Sequence, residues 1–293
     1  MPKIILLVVC LVLTGCQSTG LHLANMANDE NRYSVKEDIA YGEQPWQKLN
    51  IYQPAEKSDV LPTIVFYYGG SWRSGSKDDY AFVANRFTRE GYVVIIPDYA
   101  KYPESIYPSF VEDAALVSYW INENAEDYLI DKTSLYLMGH SAGAHTGIML
   151  IADDSYLSEY DLMPSLYSGF VGIAGPYDFV PSSKRYSKIF GGEENFPLMQ
   201  ATNYLDGSEP PMLLLTAGLD WLVADSNTEK VVSFVNNAGG EIHTINYPAL
   251  GHLTIIGSLS ESVPFGGDVS EDILKFIENI ETKQELSYLI IDR

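Results

Sequence analysis

The chain has 293 residues and carries 39 acidic against 18 basic side chains, which gives a net charge of −21. Such a strongly acidic balance disfavours nucleic acid and anionic lipid surfaces as partners of the folded part. Both cysteines, Cys10 and Cys16, lie near the amino terminus. The rest of the chain therefore holds no disulfide, no thiol nucleophile and no cysteine-based metal site.

The amino terminus has the pattern of an export signal. Residues 4–13 form an apolar run that is too short to span a bilayer as a helix and is typical of a signal-peptide core. The run ends in LTGC at residues 13–16, which resembles the lipobox of bacterial lipoproteins. This predicts that residues 1–15 are removed and that Cys16 is lipidated; an ordinary secretory signal with an incidental cysteine is the alternative.

The residues after Cys16 suggest where such a protein resides. Ser18, the second residue after the cysteine, is not Asp. By resemblance to Gram-negative lipoproteins, this implies the outer membrane, so we expect a lipid-anchored protein of the bacterial cell envelope that faces the periplasm or the exterior. Residues 16–31 are polar and small, and they are predicted to form a tether. Residues 32–293 suit one large domain better than two small ones.

Alternating and continuous apolar runs predict eight strands, with helices between most of them. The strands are expected at residues 33–39, 48–52, 62–68, 92–96, 134–138, 170–174, 212–216 and 241–247. The helices are expected at residues 79–90, 109–124, 142–151, 228–238 and around 273–277. This order predicts an α/β fold with a mainly parallel, doubly wound sheet and helices on both faces. Residues 178–209 are weakly patterned and are expected to contribute to a cap over the strand ends.

The motif GHSAG at residues 139–143 joins a predicted strand to a predicted helix. A G-x-S-x-G motif in that context is the nucleophile elbow of a serine hydrolase. The turn is so tight that side chains at Gly139 and Gly143 would clash, and Ser141 is forced into a strained backbone conformation. Ser141 is therefore the predicted nucleophile.

A serine nucleophile needs a histidine base that a carboxylate holds in place. His252 follows the last predicted strand, and the order Ser…Asp…His is that of α/β-hydrolases. Asp220 lies on the loop after the penultimate strand and is the predicted acid. Asp225 is the competitor, but it lies close enough to the next helix to cap it. The other histidines of the predicted domain are expected in the elbow turn, on a helix and within a strand: His140, His145 and His243.

The tetrahedral intermediate of acyl transfer also needs amide donors. One is expected to be the amide of Ala142, at the positive end of the helix after the nucleophile. The other is expected from Gly69 or Gly70, in the segment YGGSW (residues 68–72) that follows the third predicted strand. Together with the nucleophile, the base and the acid, these residues make up the predicted site, and no metal or organic cofactor is expected.

These motifs, with PDY at residues 97–99, IDKT at 130–133 and PP at 210–211, resemble the esterase and lipase branch of the α/β-hydrolase superfamily. The similar groups are the hormone-sensitive-lipase-like, carboxylesterase-type and kynurenine-formamidase-like enzymes, and the resemblance spans most of the predicted domain. One residue departs from their pattern, because the His-Gly-Gly of these families begins here with Tyr68. The hydroxyl of Tyr68 is a candidate to replace the imidazole, and simple packing is the alternative.

The expected activity is hydrolysis of a small carboxylic ester through an acyl-enzyme. The alternatives are hydrolysis of an arylformamide and a catalytically silent, lipid-anchored binding protein on the same fold. Five aromatic residues on predicted strand-end loops are candidates to line an acyl or aryl pocket, with core or rim packing as the alternative: Trp72, Tyr102, Tyr177, Phe179 and Trp221. The expected partners are a small ester substrate and, through the lipid anchor, a membrane.

Overall fold

The computed structural model of the protein describes residues 20–26, 28–29, 31–56, 60–181, 183–262 and 268–291. The predicted signal peptide and the predicted lipidation site at Cys16 lie outside these residues. Within the described part of the chain, no helix is both long enough and apolar enough to cross a bilayer.

The described residues contain one sheet of eight strands, which confirms the predicted strands with small shifts at their ends. The strands are β1 (Tyr33–Ala40), β2 (Lys48–Pro54), β3 (Leu61–Tyr67), β4 (Val93–Pro97), β5 (Ile130–His140), β6 (Gly169–Ile173), β7 (Met212–Ala217) and β8 (Ile242–Tyr247). The inner strands are almost wholly buried, as expected of near-continuous apolar runs covered on both faces.

The strand order is β1-β2-β4-β3-β5-β6-β7-β8. The strand β2 is antiparallel to both of its neighbours, and all pairs from β4 to β8 are parallel. Because parallel strands end at the same edge of a sheet, the loops after β3, β5, β7 and β8 lie along one edge. That edge is where the predicted nucleophile, acid and base meet.

Helices connect most of the strands, as the sequence predicts. They are α1 (residues 20–25), α2 (Ala81–Thr88), α3 (Ser109–Asn124), α4 (Ala142–Ala152), α5 (Ser155–Ser158), α6 (Lys184–Ile189), α7 (Ser226–Ala238), α8 (His252–Gly257) and α9 (Val269–Ile291). The predicted helix at 79–90 is divided, because a 3₁₀ turn at Lys77–Tyr80, capped by the hydroxyl of Ser76, precedes α2.

The contacts of two adjacent residues in β6 show that helices cover both faces of the sheet. A methyl group added at Gly169 would approach Phe276 and Ile280 of α9. The ring of the next residue, Phe170, instead lies against Gly147 of α4. Since neighbouring residues of a strand point to opposite faces, α9 and α4 pack on opposite sides.

The structure corrects the predicted tether, because much of its second half is folded against the domain. Ala24 of α1 is buried, and its carbonyl oxygen accepts a hydrogen bond of 2.5 Å from the hydroxyl of Ser260. The side-chain oxygen of Asn25 accepts a hydrogen bond of 2.9 Å from the amide of Phe82 at the start of α2. Asn25 thus caps the start of α2, and the backbone of Ala24 docks against Ser260. Composition alone does not distinguish a segment that makes such contacts from a solvated linker.

Candidate active site

The elbow at residues 139–143 has the predicted strand–turn–helix geometry. The strand β5 ends at His140, α4 begins at Ala142, and Ser141 between them has φ 54° and ψ −119°. This is a strained conformation for a residue with a side chain, and such strain is concentrated at functional sites. The amide of Ser141 is held by the carbonyl of Ile173 at 2.9 Å, which ties the turn to β6.

Close backbone approach explains both glycines of the motif. A methyl group at Gly143 would lie 2.0 Å from the carbonyl oxygen of Tyr67, and one at Gly139 would lie 2.5 Å from the carbonyl group of Gly143. Neither position has room for a side chain, because real Cβ atoms do not approach other heavy atoms so closely. The glycines thus allow the chain to reverse tightly enough to lift Ser141 to the sheet edge.

The structure brings the three predicted residues into one hydrogen-bonded chain. The Nε2 atom of His252 lies 2.8 Å from the Oγ atom of Ser141, and its Nδ1 atom lies 2.7 Å from Oδ2 of Asp220. Since an ionised carboxylate only accepts hydrogen bonds, the Nδ1 atom carries the proton and Nε2 is free to accept one from the serine. This is the arrangement that activates a serine for nucleophilic attack.

Asp220 lies in a turn that keeps its carboxylate ionised. Its second oxygen, Oδ1, accepts hydrogen bonds from the amides of Leu222 and Val223 at 2.8 and 3.0 Å. Burial alone would raise the pKa of Asp220, but His252 and the two amides outweigh it, so that the pKa lies below its usual value. The competing residue, Asp225, instead precedes α7 and makes no side-chain cap there.

The two remaining histidines near the elbow are structural. His140 donates from Nε2 to the carbonyl oxygen of His252 at 3.0 Å, and burial lowers its pKa to about 3. His145 donates from Nε2 to the carbonyl oxygen of Met199 at 2.8 Å, and burial lowers its pKa to about 4. Both imidazoles are therefore neutral at pH 7, and His140 additionally supports the backbone of the predicted base.

The predicted oxyanion residues lie beside Ser141. A methyl group at Gly69 would lie 3.0 Å from the Cβ atom of Ser141, so the loop after β3 passes directly over the nucleophile. Gly70 has φ +141°, a conformation that favours glycine, and its carbonyl oxygen accepts the amides of Arg73 and Ser74. Ala142 is the first residue of α4, where the amide has no acceptor within its own helix.

Tyr68 is held by a polar network that sequence analysis did not find. Its hydroxyl donates to the carboxylate of Asp98 and accepts a hydrogen bond of 2.7 Å from the ammonium group of Lys101. That ammonium group also donates to the carbonyl oxygen of Gly75 at 2.8 Å. Burial raises the pKa of Tyr68 and lowers that of Lys101. The phenol of Tyr68 and the ammonium group of Lys101 thus link the start of the loop to Gly75.

A cavity of about 180 Å³ opens onto Ser141 and His252. Of the five predicted aromatic residues, Trp72 and Phe179 line it, with their rings stacked at 6.0 Å between centroids. The segment 178–209, predicted to form part of a cap, contributes to the walls through Phe179, Val180, Pro181 and Tyr186.

The other three aromatic residues lie outside this cavity. Tyr177 is fully buried below the site, Tyr102 lines a separate cavity beside α6, and Trp221 is 72 % exposed. A larger cavity of about 760 Å³ lies between α1, the β1–β2 hairpin and Asp78, and neither Ser141 nor His252 lines it. Of these cavities, the one of about 180 Å³ is the one whose lining includes Ser141.

The model of the BD-FAE family matches residues 49–234, more than half of the chain. Solved structures of the same fold include esterase B from Lactobacillus rhamnosis, with a TM-score of 0.81, 15 % identity and coverage of 98 % of this chain and 99 % of that one. A truncated carbohydrate esterase from gut microbiota gives a TM-score of 0.76 at 20 % identity and covers 87 % of this chain and 99 % of that one.

Among curated proteins, kynurenine formamidase of Danio rerio is 30 % identical over 149 residues, which are 51 % of this chain and 48 % of that protein. A probable isoprenylcysteine alpha-carbonyl methylesterase of Oryza sativa subsp. japonica is 24 % identical over 281 residues, covering 88 % of this chain and 66 % of that protein. The chain thus spans about half to two thirds of the length of these relatives.

Proposed function

Because the chain belongs to the BD-FAE family of α/β-hydrolase esterases, we propose that it hydrolyses a small carboxylic ester through an acyl-enzyme on Ser141. The observation that carries this proposal is the unbroken chain of hydrogen bonds from Ser141 through His252 to Asp220, at 2.8 and 2.7 Å, at the mouth of a cavity. Three polar side chains from three separate segments converge there, and packing of the core does not explain why they meet.

The proposed reaction has two halves. The Oγ atom of Ser141 attacks the ester carbonyl carbon while Nε2 of His252 takes its proton, and Asp220 stabilises the resulting imidazolium. As the tetrahedral intermediate collapses, His252 gives that proton to the leaving alkoxide oxygen, and the alcohol departs. Water, deprotonated by His252, then attacks the acyl-enzyme; as this second intermediate collapses, His252 returns the proton to the Oγ atom of Ser141 and the carboxylic acid departs.

The negative oxygen of the intermediate needs donors that are already in position. We assign this role to the amide of Ala142 together with that of Gly69 or Gly70. Support comes from the position of Gly69 directly over Ser141 and from the place of Ala142 at the first turn of α4. Backbone donors of this kind are insensitive to the identity of residue 68, provided that the loop keeps its shape.

The cavity supports a small acyl group. Its volume of about 180 Å³ is below the range of roughly 300–1,000 Å³ that is common for drug-sized ligands. Trp72, only 2 % exposed, is one of the side chains that line it. An acetyl or butyryl group fits such a space better than an octanoyl chain does.

The test compares the wild-type protein with Ser141→Ala on p-nitrophenyl acetate, butyrate and octanoate. We expect turnover of the two shorter esters and a loss of at least 10,000-fold in kcat in the variant, with an unchanged melting temperature. Labelling by a fluorophosphonate that depends on Ser141 would show an activated serine directly. A folded Ser141→Ala protein with full activity would overturn the assignment, and absence of turnover and labelling would favour the silent binding protein.

A second candidate reaction is hydrolysis of an arylformamide. It is favoured by the 30 % identity to a kynurenine formamidase over half of the chain and by the stacked Trp72 and Phe179 in the cavity. The same serine chemistry cleaves a formamide, with an arylamine as the leaving group. Comparing kcat/KM on formanilide with that on phenyl acetate decides which acyl compound this site prefers.

We also propose that the protein is a lipoprotein of the bacterial cell envelope, anchored through Cys16. The support is the sequence alone: an apolar run that ends in LTGC, followed by Ser18. Mass spectrometry of the mature amino terminus after expression in a Gram-negative host should find a diacylglyceryl-modified Cys16, and a Cys16→Ala variant should leave the membrane fraction. An unmodified amino terminus at another residue would contradict the proposal.

A further inference from the structure

Exposed apolar side chains lie in the segments that carry or adjoin the catalytic residues. Five of them, from the loops after β6 and β7 and from the first turn of α8, form what we call the apolar rim: Val180, Leu219, Trp221, Leu222 and Leu253, which are 69, 63, 72, 53 and 40 % exposed. Single exposed apolar residues are common on protein surfaces, but several large ones in the segments of one catalytic site are typical of a binding surface.

The rim is attached to the catalytic residues themselves. Leu253 follows His252 in the chain, and Leu219 and Trp221 flank Asp220. Leu222 and Val180 line the cavity together with Ser141 and His252. The rim therefore reaches the cavity through these two residues, and the other three adjoin catalytic residues in the chain.

Hydrogen bonds to the catalytic carboxylate hold the rim in place. The amide of Leu222 donates to Oδ1 of Asp220 at 2.8 Å, and the amide of Leu219 donates to the carbonyl oxygen of Leu250 at 2.8 Å. The first bond ties the rim to the acid, and the second joins the acid loop to the loop that carries the base. The backbone of Leu219 and Leu222 is thus fixed relative to the two loops that carry the acid and the base.

The chemistry of ester cleavage decides which half of a substrate meets the rim. His252 must give its proton to the leaving oxygen, so that oxygen has to come within hydrogen-bonding distance of Nε2. The alcohol portion therefore lies beside His252 and beside the rim residues next to it. The acyl portion then occupies the cavity itself, which Trp72 helps to line and whose volume is about 180 Å³.

The charges of two of the rim segments disfavour one class of alcohol. Residues 219–225 and 250–254 contain no Lys or Arg, whereas Asp220 and Asp225 lie in the first of these segments. Beside these segments, an alcohol that carries a phosphate or carboxylate would meet like charge, and the nearest lysines in the segment of Val180 are Lys184 and Lys188, at least four residues farther along the chain. A neutral, apolar alcohol gains from covering the leucine and tryptophan surface.

From these observations we infer that the apolar rim is a binding site for the leaving alcohol and that the preferred substrates join a short acyl group to an apolar alkyl or aryl alcohol. This inference rests on the proposed function, since it assigns the alcohol side of the same reaction. According to this inference, the cavity limits the size of the acyl group, whereas the rim accepts alcohols of different sizes. Apolar contact with the rim then sets the preference among alcohols.

The experiment uses ethyl, butyl and hexyl acetate below their solubility limits. The leaving alcohols of these esters have similar basicity, so differences in kcat/KM report binding of the alkyl chain and not chemical reactivity. We expect kcat/KM of the wild-type protein to rise on the order of tenfold from ethyl to hexyl acetate. Trp221→Ala should flatten this rise by lowering kcat/KM most on hexyl acetate.

The matched control is Phe234→Ala, which removes an exposed aromatic ring from α7 outside the rim and should keep the chain-length dependence of the wild-type protein. A flat wild-type profile, or an unchanged rise in Trp221→Ala, would overturn the inference. So would a higher kcat/KM on an acetylated monosaccharide than on hexyl acetate, which would assign the surface to a sugar. In a second series that extends hexyl acetate above its solubility limit, a sharp rise in rate only above that limit would assign the surface to a lipid surface instead.

Failure of the inference and failure of the proposed function give different results. If the protein is not an esterase, none of the acetates is hydrolysed in a manner that depends on Ser141. If it is an esterase without an alcohol site on the rim, all three are hydrolysed at similar kcat/KM, and both variants match the wild-type protein.

Discussion

The ammonium group of Lys101 donates a hydrogen bond of 2.7 Å to the hydroxyl of Tyr68, directly beneath the loop that passes over Ser141. The carboxylate of Asp98 accepts a hydrogen bond from the same hydroxyl. The carbonyl oxygen of Gly75, at the far end of the loop, accepts a second hydrogen bond from Lys101. The phenol of Tyr68 is thus linked through Lys101 to the far end of the loop. We infer from these contacts that Tyr68 positions the proposed oxyanion donors.

Replacing Tyr68 by Phe should lower kcat about tenfold and change KM less than twofold. The ring continues to fill its site, but the loop loses its link to Lys101 and Asp98, and displaced donors stabilise the transition state less. Complete removal of one donor costs about 100- to 1,000-fold, which sets the upper limit. Steady-state kinetics on p-nitrophenyl acetate measures the split between kcat and KM.

A purely structural role for Tyr68 makes a different prediction. It would lower the melting temperature of Tyr68→Phe and leave kcat of the folded protein unchanged. Lys101→Met should repeat the kcat effect, because it removes the donor and keeps the aliphatic stem. Tyr119→Phe, which removes a hydroxyl from the exposed side of α3, is the control and should match the wild-type protein.

Replacing Asp220 by Asn should lower kcat by about 10,000-fold. The amide would donate to Nδ1 of His252 and so favour the tautomer whose Nε2 carries the proton and is unable to accept one from Ser141. The fold should persist, because the side-chain oxygen of Asn still accepts the amides of Leu222 and Val223. Asp225→Asn is the matched control in the same loop, and a comparable loss there would contradict the choice of acid.

Replacing Gly143 by Ala should prevent stable folding or lower the free energy of unfolding by more than about 3 kcal/mol, as overpacking against backbone does. The added methyl group would lie 2.0 Å from the carbonyl oxygen of Tyr67. Gly257→Ala is the control, because no atom lies within 4 Å of a methyl group there. Thermal melting of both variants tests the prediction, and a Gly143→Ala protein as stable as the control would contradict it.

Acid should destabilise the protein through its buried histidines. Burial lowers the pKa of His145 from 6.5 to about 4, so below pH 6.5 the unfolded chain takes up a proton that the folded protein does not bind. The stability therefore falls as the pH decreases between 6.5 and 4, and at pH 5 the loss from this one residue is about 2 kcal/mol. His140 acts in the same direction, with a pKa of about 3.

His145→Gln isolates this contribution, because glutamine retains a donor for the carbonyl oxygen of Met199 and does not titrate. The aromatic rings of Trp72, Phe110 and Phe190 surround the site, so no charged neighbour obscures the effect. Urea denaturation at pH 7 and pH 5 should show a decrease in unfolding free energy that is about 2 kcal/mol smaller in the variant than in the wild-type protein. An equal decrease in both proteins would show that His145 does not contribute.

Local sequence patterns were sufficient to predict the strands and most residues of the candidate site. Ser141, Asp220 and His252 each follow a strand that is recognisable by its own apolar run, and the order of residue types then restricts their roles. The need for glycine in the elbow is also a local property, because it arises from a turn only a few residues long. The predicted tether was misjudged for the opposite reason: Asn25 looks like a linker residue until Phe82, 57 residues away, is placed beside it.

The sequence by itself determined the α/β class and pointed to the candidate nucleophile in its elbow and to the candidate acid and base that follow the last two strands, because each prediction depends on residues close together in the chain. Only the tertiary structure showed what holds Tyr68 in place. Its partners Asp98 and Lys101 follow a different strand, and the sequence alone does not reveal that β3 and β4 are neighbours in the sheet. The tertiary structure also decided which residues form the apolar rim, since exposure depends on how the loops of distant strands meet at one edge of the sheet.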